Sequence, residues 1–161
     1  MRPDFPPHVP GSTPRPPAGA FDFLRAGLEP RMAPAALRDH AAFKGGLELL
    51  AAGYCWEAHE VLEAVWLAAP PGSRERHLVQ ALIQLANARL KVAMGQPRAA
   101  ARIAALSGAS LREAGLGGET QVLGISLAAV ADCLAHYDAT TAPAFESHCG
   151  KQAGSIRNAA R

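Results

Sequence analysis

From Glu75 to Met94 the sequence reads as one helix that admits few surroundings. Leu78, Val79, Leu82, Ile83, Leu85, Leu90 and Val92 cover most of its circumference. Only Gln80, Gln84, Asn87 and Lys91, spaced i, i+4, i+7, i+11, leave a narrow polar stripe. An ordinary surface helix carries one apolar stripe and one wide solvated face. A helix this apolar must sit at the centre of its domain or face another subunit. Its amides then line a shared cavity or form the one strip that meets water.

The flanking segments supply the other helices. Pro34 suits a first turn, and Leu37, Phe43, Leu47 and Leu50 recur at helical spacing up to Gly53. A second helix begins near Tyr54 and ends before Pro70-Pro71, after which Ser73 is placed to cap the central third helix. Gly95 ends the third helix and Pro97 opens a fourth, which runs through an alanine-rich stretch to about Gly115. Residues 115–120 read as a loop and Ser126 to Tyr137 as a fifth helix. No segment alternates long enough to predict a strand. The expectation is an all-α fold of about five helices, in a compact antiparallel bundle or an irregular array.

Seven prolines fall in residues 1–20, which excludes helix or sheet through that segment and predicts a disordered arm. The domain division is therefore an arm over 1–20, one helical domain over 21–142, and a polar C-terminal tail over 143–161. A chain of 161 residues suits one domain with one core, and 49% apolar content suits a soluble one. A net charge of +2 gives no reason to expect a nucleic-acid partner. No apolar run is long enough for a membrane span. Cys55, Cys133 and Cys149 are few and scattered, which favours reduced thiols and a cytoplasmic setting.

The chemistry gathers in "GYCWEAHEVLEAVW", residues 53–66. At about 100° per residue, Ala58, Val61, Leu62 and Val65 share the core side of this helix. Trp56, His59, Glu60, Glu63, Trp66 and Leu67 share an opposite arc of about 120°. Indoles are poor choices for a solvated face and ionisable groups for a dry one, so the arc reads as the wall of a pocket. Glu57 lies off to the side, as ordinary surface or as a first-turn acid favoured by the helix dipole.

Three readings follow. His59 and Glu63, one turn apart with Glu60 beside them, could hold a divalent metal, although Glu63 replaces the second histidine of HExxH and the full ligand set is missing. Alternatively His59, oriented by Glu63, and Glu60 perform acid–base chemistry on a ligand. In the third reading the same groups satisfy one another across a helix interface, as a polar seam without a ligand. Cys55, one turn before His59, reads as a buried thiol.

The segments "FKGGLELLAAGYCWEAHEVLEAVW" and "LVQALIQLANARLKVAMGQPRAA" resemble the bacterial and archaeal family known as domain of unknown function 309. The residues that carry the likeness are Phe43, Gly46, Gly53, Tyr54, Trp56, Glu57, Ala58, His59, Glu60, Trp66, Gln80, Leu82, Ile83, Gln84 and Gly95, with Ala81 standing where the family has glycine. The resemblance implies a compact all-α fold, supplies no activity, and groups Glu57, His59 and Glu60 with Gln80 and Gln84. The candidate site is then His59, Glu60 and Glu63 for chemistry, with Tyr54, Trp56, Glu57, Trp66, Gln80, Gln84 and Asn87 for binding. The expected function is binding of a small molecule or ion in a pocket between the second and third helices, with hydrolase-like acid–base chemistry as an extension. The alternative is a non-catalytic interaction module, dimerising through the third or fourth helix.

Overall fold

The computed structural model describes residues 2–137 of the protein. The expected tail over 143–161, with His148 and Cys149, lies outside them. Seven helices are present among the described residues: α1 (Asp22–Arg25), α2 (Pro34–Asp39), α3 (Ala41–Ala51), α4 (Cys55–Ala68), α5 (Arg74–Ala93), α6 (Pro97–Ala114) and α7 (Leu127–Ala135). The fold is all-α, and α3 to α6 pack in chain order, each against the next.

The central helix is α5, held between α4 and α6. Leu78, Val79, Leu82 and Leu85 are fully buried along it. Ser73 accepts from the Arg76 amide at 3.1 Å and starts it, as its position predicts. Small residues bring α6 close: Ala100, Ala104, Ser107 and Ala114 line its buried side together with the larger Leu111. The Ser107 hydroxyl there donates to the Ala81 carbonyl at 2.7 Å. On the opposite side of the bundle α3 approaches α4 through Gly46, where a Cβ would stand 2.7 Å from Leu62 Cγ and Cδ2. Arg89, also buried, donates from α5 to the Leu50 carbonyl at 2.9 Å and ties the end of α3 to the centre.

Three sequence expectations need correction. The helix read from Pro34 to Gly53 is two helices. His40 is extended at ψ 141 and its Nδ1 accepts from the Ala42 amide at 3.1 Å, so it ends α2 and caps α3. A small antiparallel hairpin pairs Gln121–Val122 (β1) with Ile125–Ser126 (β2). Its two-residue turn has Leu123 at φ 50 and Gly124 at φ 76, the backbone of a type I′ turn. Two-residue strands are too short to show alternation.

The third correction concerns the proline-rich arm. It forms neither helix nor strand, as its prolines require, yet it is packed against α4. Tyr54 Oη donates to the Phe5 carbonyl at 2.8 Å, and the Phe5 ring meets Tyr54 and Phe21 edge-on. His8 is buried, its ring edge-on to Trp56 with centroids 5.0 Å apart. Thr13 folds the arm back on itself, accepting from the Val9 amide and donating to the Pro7 carbonyl.

Candidate functional site

Helix α4 positions every candidate residue from 56 to 66, and its two flanks meet different partners. On the α5 flank, His59 Nδ1 lies 2.7 Å from Asn87 Oδ1. An amide oxygen only accepts, so Nδ1 carries the proton and Nε2 of the neutral ring keeps its lone pair. Asn87, not Glu63, is therefore the group that orients His59. Further along this flank the Arg76 guanidinium stacks 3.8 Å over the Trp66 ring and donates to the Ala69 carbonyl. Trp66 thus braces the α4–α5 connection.

Gln80 and Gln84 are half-buried on the stripe that carries Asn87. Neither joins His59 by a hydrogen bond among the described residues. The contact between α4 and α5 at His59 is a direct one, and a cleft bordered by α4 opens elsewhere.

That cleft lies on the other flank, under residues 15–22. It has a volume of about 310 Å³ and is lined by Trp56 and Glu60 of α4, Asp22 and Arg25 of α1, and the chain from Arg15 to Phe21. Arg25 is held in place by its bond to the Glu60 carbonyl at 3.1 Å and by Asp22 at 3.7 Å. The arm roofs this cleft, and no α5 residue lines it.

Between the two flanks His59, Glu60 and Glu63 form one cluster. One donor atom from each lies within 4.8 Å of the others; His59 and Glu60 are half-buried and Glu63 is exposed. These three could hold a cation or move a proton. Glu60 belongs to both groupings, since it faces the cleft and stands beside His59.

Glu57 departs furthest from its expected surface place. It is 0% exposed, and Oε1 accepts the His8 amide at 2.8 Å, while Oε2 has no hydrogen-bond partner among the described residues. Burial pushes its carboxyl above the ordinary value, and the bonds from the backbone amides of His8 and of Glu57 itself offset only part of that. Sequence reasoning missed the burial although a signal was there. Glu57 shares an i, i+4, i+8 row with Val61 and Val65, both fully buried. His8 was missed because its bonding group is a backbone amide, which any residue but proline supplies. Tyr54, expected among the binding residues, has its hydroxyl engaged by the arm.

Residues 43–103 match the family described as Domain of unknown function (DUF309). That segment runs from α3 through α4 and α5 into α6 and contains the whole His59–Glu60–Glu63 cluster with Asn87. No curated protein matches the chain, and no solved structure does.

Proposed function

We propose that this chain, which carries domain of unknown function 309 across its central helices, binds a small polar molecule in the cleft between the arm and α4. The observation that carries the reading is the double membership of Glu60, which lines the cleft and stands within the His59 cluster. Trp56 offers an apolar wall to a flat part of the ligand, and Glu60 accepts hydrogen bonds from its polar part. His59, with Nδ1 committed to Asn87, has Nε2 ready to take a proton, so acid–base chemistry on the bound molecule fits the same arrangement. A cytoplasmic setting goes with this reading, on the few and scattered cysteines. Among the described residues no helix is long and apolar enough to cross a membrane.

A thermal-shift screen of the full chain against small carboxylates, amines, nucleosides and sugars tests it. A binder whose affinity falls at least about tenfold (roughly 1.4 kcal/mol) in both Glu60→Gln and Trp56→Ala supports the proposal. A binder indifferent to both substitutions, or no binder at all, overturns it.

One observation favours the alternative of a helical interaction module. Leu111 of α6 with Leu127, Ala131 and Leu134 of α7 border an apolar groove of about 400 Å³, and Leu106 and Leu116 stand exposed on the same segment of chain. Since α5 is enclosed, a homodimer would use this surface. A monomer by light scattering at high concentration removes that homodimer.

A further inference from the structure

The geometry points to the zwitterion of a free α-amino acid as the ligand of the arm–α4 cleft, its carboxylate received by Arg25 and Arg15 and its ammonium by Asp22 and Glu60. The inference rests on the reading of that cleft as a small-molecule site, and adds the chemical class it takes.

The cations come first. Arg25 is anchored at one corner of its guanidinium, where Nη2 donates to the Glu60 carbonyl at 3.1 Å. Its Nη1 stands 3.7 Å from Asp22 Oδ1, an ion pair too long for a hydrogen bond. Nε has no partner among the described residues either. A guanidinium presents five N–H donors in a rigid fork that matches a carboxylate. Here only one of its nitrogens is committed, so Arg25 is held in position with most of its donors unused. Arg15 lines the same cleft from the roof, is exposed, and forms no ion pair among the described residues.

Anions share the lining. The Asp22 amide donates to the Gly19 carbonyl at 3.0 Å, which fixes the turn that carries the roof into α1. Glu60 lines the cleft from α4 and forms no ion pair among the described residues, while Asp22 has only the long one to Arg25. Two arginines and two carboxylates are all the charged residues of the cleft, and they leave it with no net charge. That balance selects among ligands. A phosphate or a dicarboxylate meets repulsion from Asp22 and Glu60, and a simple amine meets it from both arginines. A molecule with one charge of each sign finds an opposite charge for both.

Size narrows the class. A volume of about 310 Å³ lies at the lower end of the roughly 300–1,000 Å³ of small-molecule pockets, which suits a free amino acid better than a peptide or a nucleotide. Trp56 supplies the apolar wall, so the preferred amino acid carries a flat or apolar side chain.

The test is calorimetric titration of the full chain with the proteinogenic amino acids. Each binder is then compared with its amide, which lacks the carboxylate, and its N-acetyl form, which lacks the ammonium. At least one amino acid is expected to bind, with both capped forms weaker by at least about tenfold. Arg25→Lys keeps the charge and removes the fork. It should weaken the amino acid by a similar factor and have little effect on the amide, a difference that general damage to the fold would not produce. Arg15→Gln, at an exposed position, should weaken the amino acid about two- to fivefold. Capped forms that bind as well as the parent, or an Arg25→Lys effect equal on both, overturn the inference. A different molecule that binds and responds to Trp56→Ala, with no amino acid bound, overturns it and leaves the cleft standing. Absence of any binder overturns both readings.

Discussion

The buried carboxylate of Glu57 holds the backbone amide of His8 at 2.8 Å, across 49 positions of sequence. One acceptor on α4 thereby anchors a segment whose prolines leave it few amides to offer. The bond joins the arm to the helix that carries the candidate site, so its strength sets how firmly the cleft is roofed.

Glu57 is expected to make stability depend on pH. Its folded-state carboxyl titrates above the ordinary value of 4.5 because burial disfavours the charge. The folded state thus holds the proton more tightly than the unfolded chain, and stability falls as pH rises from 4.5 through the raised value. Glu57→Gln keeps an acceptor for His8 and removes the charge. The stability difference between wild type and this variant, measured by denaturant unfolding at several pH values, should grow in favour of glutamine with pH. Glu57→Ala, which strands the His8 amide, should cost about 1–3 kcal/mol.

Tyr54→Phe removes the hydroxyl that donates to the Phe5 carbonyl and leaves the ring contact with Phe5 intact. A loss of about 0.5–1.5 kcal/mol is expected. Hydrogen exchange should rise in residues 2–20 well before it rises in α5, since the bond ties down the arm alone. Equal acceleration in both would show that the arm and core open together.

Gly46→Ala places a methyl group where Leu62 already stands. Overpacking of this kind costs about 1–3 kcal/mol. Leu62→Ala alone opens a cavity at a cost of about 2–5 kcal/mol. The double variant should be less destabilised than the sum, because the alanine methyl enters the space that leucine vacates. Strict additivity in a double-mutant cycle would refute the close contact.

Arg76→Met keeps apolar cover over Trp66 but removes the cation and the bond to the Ala69 carbonyl. The stacking itself is worth about 0.5–1 kcal/mol at a partly exposed site. Trp56 and Trp66 are the only tryptophans, so a fluorescence change absent from a Trp66→Phe background assigns the effect to this pair.

The helical frame was legible wherever side-chain periodicity decides structure. Central α5, its Ser73 cap, and the ends marked by Gly95 and Pro97 follow from spacing and from backbone chemistry. The His59–Glu60–Glu63 grouping follows too, because one helix fixes it. The arm did not show itself, since Phe5 and His8 are held largely through backbone carbonyl and amide groups that no side-chain pattern encodes. The visible hint was aromatic: Phe5 and His8 are costly to leave in water within a segment otherwise rich in proline. His40 was unreadable for a similar reason, as its capping role depends on a backbone angle within an unbroken apolar spacing.

The family segment 43–103 contains His59, Glu60, Glu63 and Asn87, but the roof of the cleft, from Arg15 to Asp22, lies wholly outside it. Reactive groups and enclosure thus come from separable stretches of chain. Grafting a different leader onto the same helices would change what fits beside Trp56 while leaving the imidazole and its carboxylates where they are. In the proposed binding reading, selectivity is modular and resides in the twenty-odd residues that look least like a folded domain.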